Sequence, residues 1–139
     1  MNKYSISALL NELNQKEIGD IKLKDLIGPG RYAEQIEDEA KLTRVQLRKI
    51  FAEFKNVFNK FENREKPEKI QINLYKLYPL LKYQQNRKLI RNKDFIRLLF
   101  KILDQLDESL KKPENEKTKK NFKYAQEFIQ ALVAYIRND

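Results

Sequence analysis

The sequence predicts an all-α protein, a compact bundle of four main helices plus one short helix. Three observations carry this. Apolar residues recur at helical spacing along most of the chain, Pro67 and Pro113 separate the longest runs, and no run alternates apolar with polar residues as a half-buried strand does. A chain of 139 residues is long enough for one sizeable core, and its 41% apolar residues, rich in Leu, Ile and Phe, are enough to fill it despite 35% charged residues.

Residues 1–30 read as an N-terminal leader, either mobile or holding a short helix. From Ser5 to Leu13 the side chains of Ile6, Leu9, Leu10 and Leu13 share one helical face; Ile21, Leu23, Leu26 and Ile27 follow in a looser stretch that ends at Gly28-Pro29-Gly30. Residues 31–139 form a single helical-bundle domain. Its short helix, near 31–40, turns Tyr32, Ala33, Ile36 and Ala40 inward and Glu34, Glu37, Asp38 and Glu39 outward.

The helix near 43–62 has the strongest local signal. Thr43 caps it, and Gln46 at the third position returns the bond, so a hydroxyl and an amide satisfy two backbone donors that the first turn leaves open. Leu47, Ile50, Phe51, Phe54, Val57, Phe58 and Phe61 then fall in an arc of about 120° at 100° per residue. A third helix, near 70–88, keeps Leu74, Leu77, Tyr78 and Leu81 on one face although Pro79 kinks or divides it. The fourth, near 93–111, buries Phe95, Leu99, Ile102, Leu103, Leu106 and Leu110 and sets Lys93, Arg97 and Lys101 opposite. The last, near 116–137, carries Phe122, Ala125, Phe128, Ile129, Leu132, Val133 and Ile136.

Composition narrows the function. With no Cys and no His, the chain lacks thiol chemistry, the usual neutral-pH base and the common transition-metal ligands, so the reading is a binding protein, not an enzyme, with no metal and no cofactor. No signal-peptide pattern opens the chain and no apolar run approaches the ~18 residues that span a bilayer, which points to the cytoplasm and to no membrane partner. The net charge of +9 is concentrated centrally. Residues 41–101 hold 17 Lys or Arg against 5 Asp or Glu, whereas the rest of the chain is slightly acidic. Such a segment draws polyanions to one face.

Candidate contacts to a polyanion follow from the wheel. Arg44, Arg48 and Lys55 fall within about 40° of one another beside the apolar arc, Lys49 projects further round, and Lys41 extends the edge. Their alkyl stems can cover the rim of the core while the charges reach outward. Tyr83 and Arg87, four residues apart, project together and offer a ring for a base and a guanidinium for phosphate.

Two segments resemble the small-subunit family of type III-A CRISPR effector complexes, the helical second subunit of the Csm assembly. Leu42-Thr43-Arg44-Val45-Gln46-Leu47-Arg48-Lys49-Ile50 is similar to the family's Leu-Thr-x-x-Gln-Ile/Leu-Arg-Lys segment, and LYPLLKYQQNR, from Leu77 to Arg87, is similar to its Leu-Lys-Pro-x-Leu-x-Tyr-x-x-x-Arg segment. A weaker echo runs from Phe128 to Tyr135. The resemblance spans Tyr32 to Ile136 and departs from the family at Tyr78, where Lys is common, and at Gln84-Gln85-Asn86, where small residues are common. It implies a helical bundle that is no nuclease and that stacks with further copies of itself and other subunits of the effector complex along guide RNA and target RNA. Arg48, Lys49 and Arg87 match the family's basic positions. The competing reading is a helical protein-interaction or DNA-binding regulatory protein, since a capped basic helix also fits a major groove; against it, no clear short helix and Gly-containing turn precede the long helix.

Overall fold

The computed structural model describes residues 3–137. Among them are seven α-helices and one 3₁₀ turn, without a strand: α1 (Ile6–Gln15), the 3₁₀ turn (Ile18–Asp20), α2 (Leu23–Ile27), α3 (Tyr32–Ala40), α4 (Arg44–Glu62), α5 (Pro67–Asn86), α6 (Lys93–Ser109) and α7 (Glu116–Ala134). The all-α expectation holds, and each main helix ends within a few residues of its expected bounds.

Local chemistry explains the ends. The Thr43 hydroxyl accepts from Gln46 N while the Gln46 side chain accepts from Thr43 N, the reciprocal cap expected for α4. Asn92 caps α6 and Asn115 caps α7. Pro67, expected as a break, is the first residue of α5, where its missing N–H costs no hydrogen bond. Pro79 lies inside α5, which runs on as one helix.

α4 to α7 form a four-helix ring. α4 packs on α5 and α7, and α6 packs on the same two from the other side, so α4 and α6 face each other across the diagonal. The α4–α7 pair is antiparallel: Phe61 stacks on Phe122 at one end, with centroids 3.9 Å apart, and Arg44 Nη2 donates to the Ile136 carbonyl, 3.1 Å away, at the other. The α5–α6 pair is antiparallel too, joined by Tyr78 to Asp104 and by Gln71 and Tyr75 to Asp107. Phe54, Phe58, Phe95 and Phe128 are among the largest side chains fully sealed from solvent.

The N-terminal segment shares this core. The short helix expected there is α1, and Ile6, Leu9, Leu13, Ile18, Ile21 and Leu26 are all buried. Its connection is held by polar side chains that periodicity does not reveal. Gln105 on α6 accepts from Ile18 N and donates to the carbonyls of Leu13 and Lys16. Asn121 on α7, wholly buried, accepts from Gly19 N at 2.9 Å and donates to Glu17 and to Ser109 Oγ at 3.0 Å each. A Cβ at Gly19 would stand 2.5 Å from Asn121 Oδ1, so the chain approaches α7 more closely than any side chain permits. Lys117 closes the join from outside, pairing with Glu17 and Asp20 and holding the Asp20 carboxyl below its ordinary pKa.

One expected orientation is corrected. Glu37, assigned to the outer face of α3, is 3% exposed. At 100° per residue it lies about 40° beyond Ala33, on the far side from Ala40, and a helix with neighbours on more than one side buries more than a single stripe. Burial raises its pKa above the usual carboxylate value, Asp38 and Glu34 add to the rise, and Arg137 opposes it.

This packing can be tested at two positions. Phe54→Ala should lose about 3–5 kcal/mol in chemical denaturation, because the ring is enclosed on every side; an unchanged midpoint would mean that α4 presents another face to the core. Glu37 binds its proton more tightly folded than unfolded, so its contribution is complete below the unfolded pKa and is lost as pH rises through the folded one. Glu37→Gln should therefore flatten the fall in melting temperature above about pH 4.5. Parallel curves for parent and variant would place the carboxyl in water.

Candidate nucleic-acid interface

Burying the arc of Leu47, Ile50, Phe54, Val57 and Phe58 between α5 and α7 leaves the rest of α4, from the edge of the arc round to its far side, in water. Arg48, Lys49 and Lys55 are exposed there, joined by Lys41, which ends α3 in a left-handed conformation with φ 53°. Among the described residues none of these four forms an ion pair or hydrogen bond through its side chain. Arg48 and Lys55, seven residues apart, lie on nearly one line along the helix, about 10 Å from each other.

Arg44 is placed differently. It is half-buried, and its bond to the Ile136 carbonyl ties the start of α4 to the end of the chain. Its wheel position beside Arg48 is as expected, but the guanidinium has an intramolecular task. Val45, in the same first turn, is 75% exposed.

Tyr83 and Arg87 meet as expected. Arg87 Cζ lies 5.8 Å from the centre of the Tyr83 ring, and the ring is 54% exposed rather than part of the core. The turn between α4 and α5 is short and the helices are of similar length, so the end of α5 returns to the level of α4's first turns. This brings Tyr83 and Arg87 to the same end of the bundle as Lys41 and Arg48. Tyr78 and Gln84, the positions where the sequence departs from the family pattern, both serve packing: the Tyr78 hydroxyl reaches Asp104, and Gln84 is buried.

Several exposed residues of α5 lie outside the expected set. Lys69, Ile72, Tyr75, Lys76 and Lys82 cover its outward side, and their signal was the complement of the buried pattern Ile70, Leu74, Leu77 and Leu81. At the far end of α4, Phe58, Phe61 and Phe122 floor a groove of about 1070 Å³ whose rim mixes Arg64, Lys66 and Lys119 with Glu62, Glu65 and Glu127. Its balanced charge separates it from the cationic edge. Among the described residues no group of three or more acidic side chains is placed to hold a metal ion, and no helix is long and apolar enough to cross a membrane.

The sequence profile of the family described as Csm2 Type III-A matches residues 21–138, which takes in α2 to α7 and the whole cationic edge. The chain belongs to this family. Membership makes it a small subunit of a type III-A CRISPR complex, the structural component that the ordered motifs on α4 and α5 imply. No curated protein and no solved structure matches the chain. The Csm2 match begins ahead of Tyr32, where the resemblance of motifs begins, and α1 and the 3₁₀ turn precede it. A three-residue turn joins the short α3 to α4, as the expected bounds near 31–40 and 43–62 imply, and Lys41 takes its left-handed position without a glycine.

Proposed function

We propose that the chain acts without catalysis as the small subunit that rests on guide RNA paired with target RNA, touching phosphates through the outward edge of α4 while copies of itself and other subunits align along the same duplex. The observation that carries this reading is the line of Arg48 and Lys55, with Lys49 further round, exposed on α4 without side-chain partners among the described residues. Such cations read charge and spacing, and the bases of a guide–target duplex are already occupied by pairing. Arg48 leads the set, because its position beside the apolar arc lets its stem cover the rim of the bundle while its guanidinium offers several donors to one phosphate. Lys41, Lys49, Lys55 and Arg87 add charge, and Arg44 supports the edge from behind. Each such interaction is modest alone; alignment of several copies on one strand raises the effective concentration of the rest.

Exchange of Arg48 and Lys49 for Glu tests this. Helicity and melting should stay near the parent, whereas RNA affinity should fall and the log–log salt slope should decrease by roughly 0.7–0.9 for each phosphate that is no longer neutralised. Incorporation into the reconstituted complex should fall in step. Affinity for an RNA duplex should not depend on its base sequence, and duplex DNA of equal length serves as the competitor that would expose a groove-reading regulator instead. Parent-like binding and assembly by both Arg48→Glu and the double variant would reduce the edge to a solvated helix face.

A further inference from the structure

Five large hydrophobic side chains are exposed among the described residues, and three of them, Ile72, Tyr75 and Tyr83, stand on α5 at 55%, 46% and 54%. The core does not require them, since α5 already buries Ile70, Leu74, Leu77 and Leu81 on its inner side. At 100° per residue Ile72, exposed Pro79 and Tyr83 fall within about 40°, with Tyr75 about 60° from Ile72 on one flank. Lys69, Lys76 and Arg87 fall within about 20° of one another along the other flank, and Lys82 stands beside Tyr75. The outer surface of α5 is therefore a ridge of neutral rings and apolar groups edged by cations on both sides.

We propose that this ridge holds single-stranded RNA, with bases stacked on Tyr75 and Tyr83 and phosphates taken by Lys69, Lys76, Lys82 and Arg87. The proposal extends the reading of the chain as an RNA-contacting subunit from paired RNA on α4 to unpaired RNA on α5. Aromatic rings interleaved with cations suit a strand whose bases are free, because every base has a π-face and the cations follow the backbone. A duplex hides those faces and has no use for the rings. Helical rise sets Tyr75 and Tyr83 about 12 Å apart along one axis, so a short strand can lie along α5 and use both.

Both rings are restrained before any strand arrives. The Tyr75 hydroxyl donates to Asp107 Oδ1 at 2.8 Å, and Gln71 donates to the same oxygen, so the ring is tethered to α6 at its far end and the carboxylate has protein partners. Tyr83 is restrained by Arg87, whose guanidinium lies over the ring and carries the charge that a phosphate beside a stacked base requires. Restraint lowers the entropy cost of binding. Lys69 and Lys76 have no ion-pair partner among the described residues, and Lys82 has only an exposed bond to Gln85 at 3.3 Å. A protein partner is a poorer fit, because Ile72 is the one aliphatic side chain of the ridge and Glu68, exposed in the first turn of α5, is the one acidic residue of the helix beside Lys69, Lys76, Lys82 and Arg87.

The experiment compares four probes on the purified full chain: an oligouridine, an oligoadenosine, an abasic strand of equal length and a self-complementary RNA duplex. The parent should bind the base-bearing strands more tightly than the abasic one. Tyr75→Leu with Tyr83→Leu, which keeps an apolar side chain and helix propensity, should lower single-strand affinity by roughly 30-fold or more, since two stacked bases are lost at once. Its binding to duplex should stay within about twofold of the parent's. Tyr75→Phe with Tyr83→Phe should retain the affinity, because the rings remain. Arg48→Glu with Lys49→Glu should do the reverse of the Leu pair, so failure of the α4 reading alone would appear as unaltered duplex binding with the tyrosine dependence intact. The proposal is overturned by equal affinity for abasic and base-bearing strands, by a Leu pair that binds them as the parent does, or by a parent that binds no single strand at the highest concentration at which it stays monodisperse. It is equally overturned if the Leu pair keeps its RNA affinity but no longer joins the complex, which would make the ridge a protein-binding surface.

Discussion

The burial of α4's aromatic arc between α5 and α7 is the constraint on which the rest of the molecule depends. Phe54 and Phe58 are sealed by neighbours on both sides, and a helix whose arc is held in this way cannot rotate about its own axis without exposing rings. The direction of Arg48, Lys49 and Lys55 is thereby set by hydrophobic packing, not by electrostatics. Mutual repulsion of these cations is the cost of the arrangement, and exposure to water keeps that cost small. The stacked Phe61–Phe122 rings and the Arg44–Ile136 bond pin α4 at its two ends, so the register of the cations along the bundle is fixed as well as their direction.

A second consequence is the division of the surface. Because α4 and α6 lie on the diagonal, α6's outward cations Arg97 and Lys101 face away from those of α4, as their wheel position opposite the core arc implied. α6 also gives its acidic residues to α5: Asp104 and Asp107 accept from Tyr78 and Tyr75. The acidic groups of this seam are thus drawn into protein hydrogen bonds beside a strongly basic face, which limits their repulsion toward a polyanion.

How much of this could be read from the sequence depended on the kind of interaction. α4 was legible because its cap, its arc and its cations are all local and periodic; the Thr43–Gln46 exchange needs only spacing. The pairing of Tyr83 with Arg87 was legible for the same reason. The docking of α1 and the 3₁₀ turn was not. It rests on Gln105 and Asn121, polar residues inside helices whose task is to satisfy backbone groups about ninety or more residues away in sequence, with Ser109 accepting from Asn121. No periodicity announces such a partner, and a polar residue on an amphipathic helix reads as solvated until its neighbours are known. Gly19 carried a faint signal, a small residue where a close approach was needed, and read in isolation it is only a loop glycine. Glu37 fails in the opposite direction: local pattern assigns a carboxylate to water, and packing on more than one side of a short helix removes the water.

The cationic residues themselves illustrate a further limit. Arg44 and Arg48 are alike in type and neighbours on the helical wheel, yet the carbonyl of Ile136 claims one and leaves the other free of protein partners. The distinction arises entirely from tertiary structure. It also bears on mechanism, because a phosphate-binding surface needs cations that keep their charge available and their geometry restrained at once. A long side chain with no partner retains its entropy and gives weak, adaptable contacts; one tied to the backbone holds the helix in place and gives little to a ligand. The α4 edge combines both kinds within two turns: Arg44 is tied to the Ile136 carbonyl, while Arg48 and Lys49 keep their charge available. On the proposed reading, a surface built in this way would discriminate poorly between sequences and gain its grip by repetition, which suits a subunit that must accept any guide.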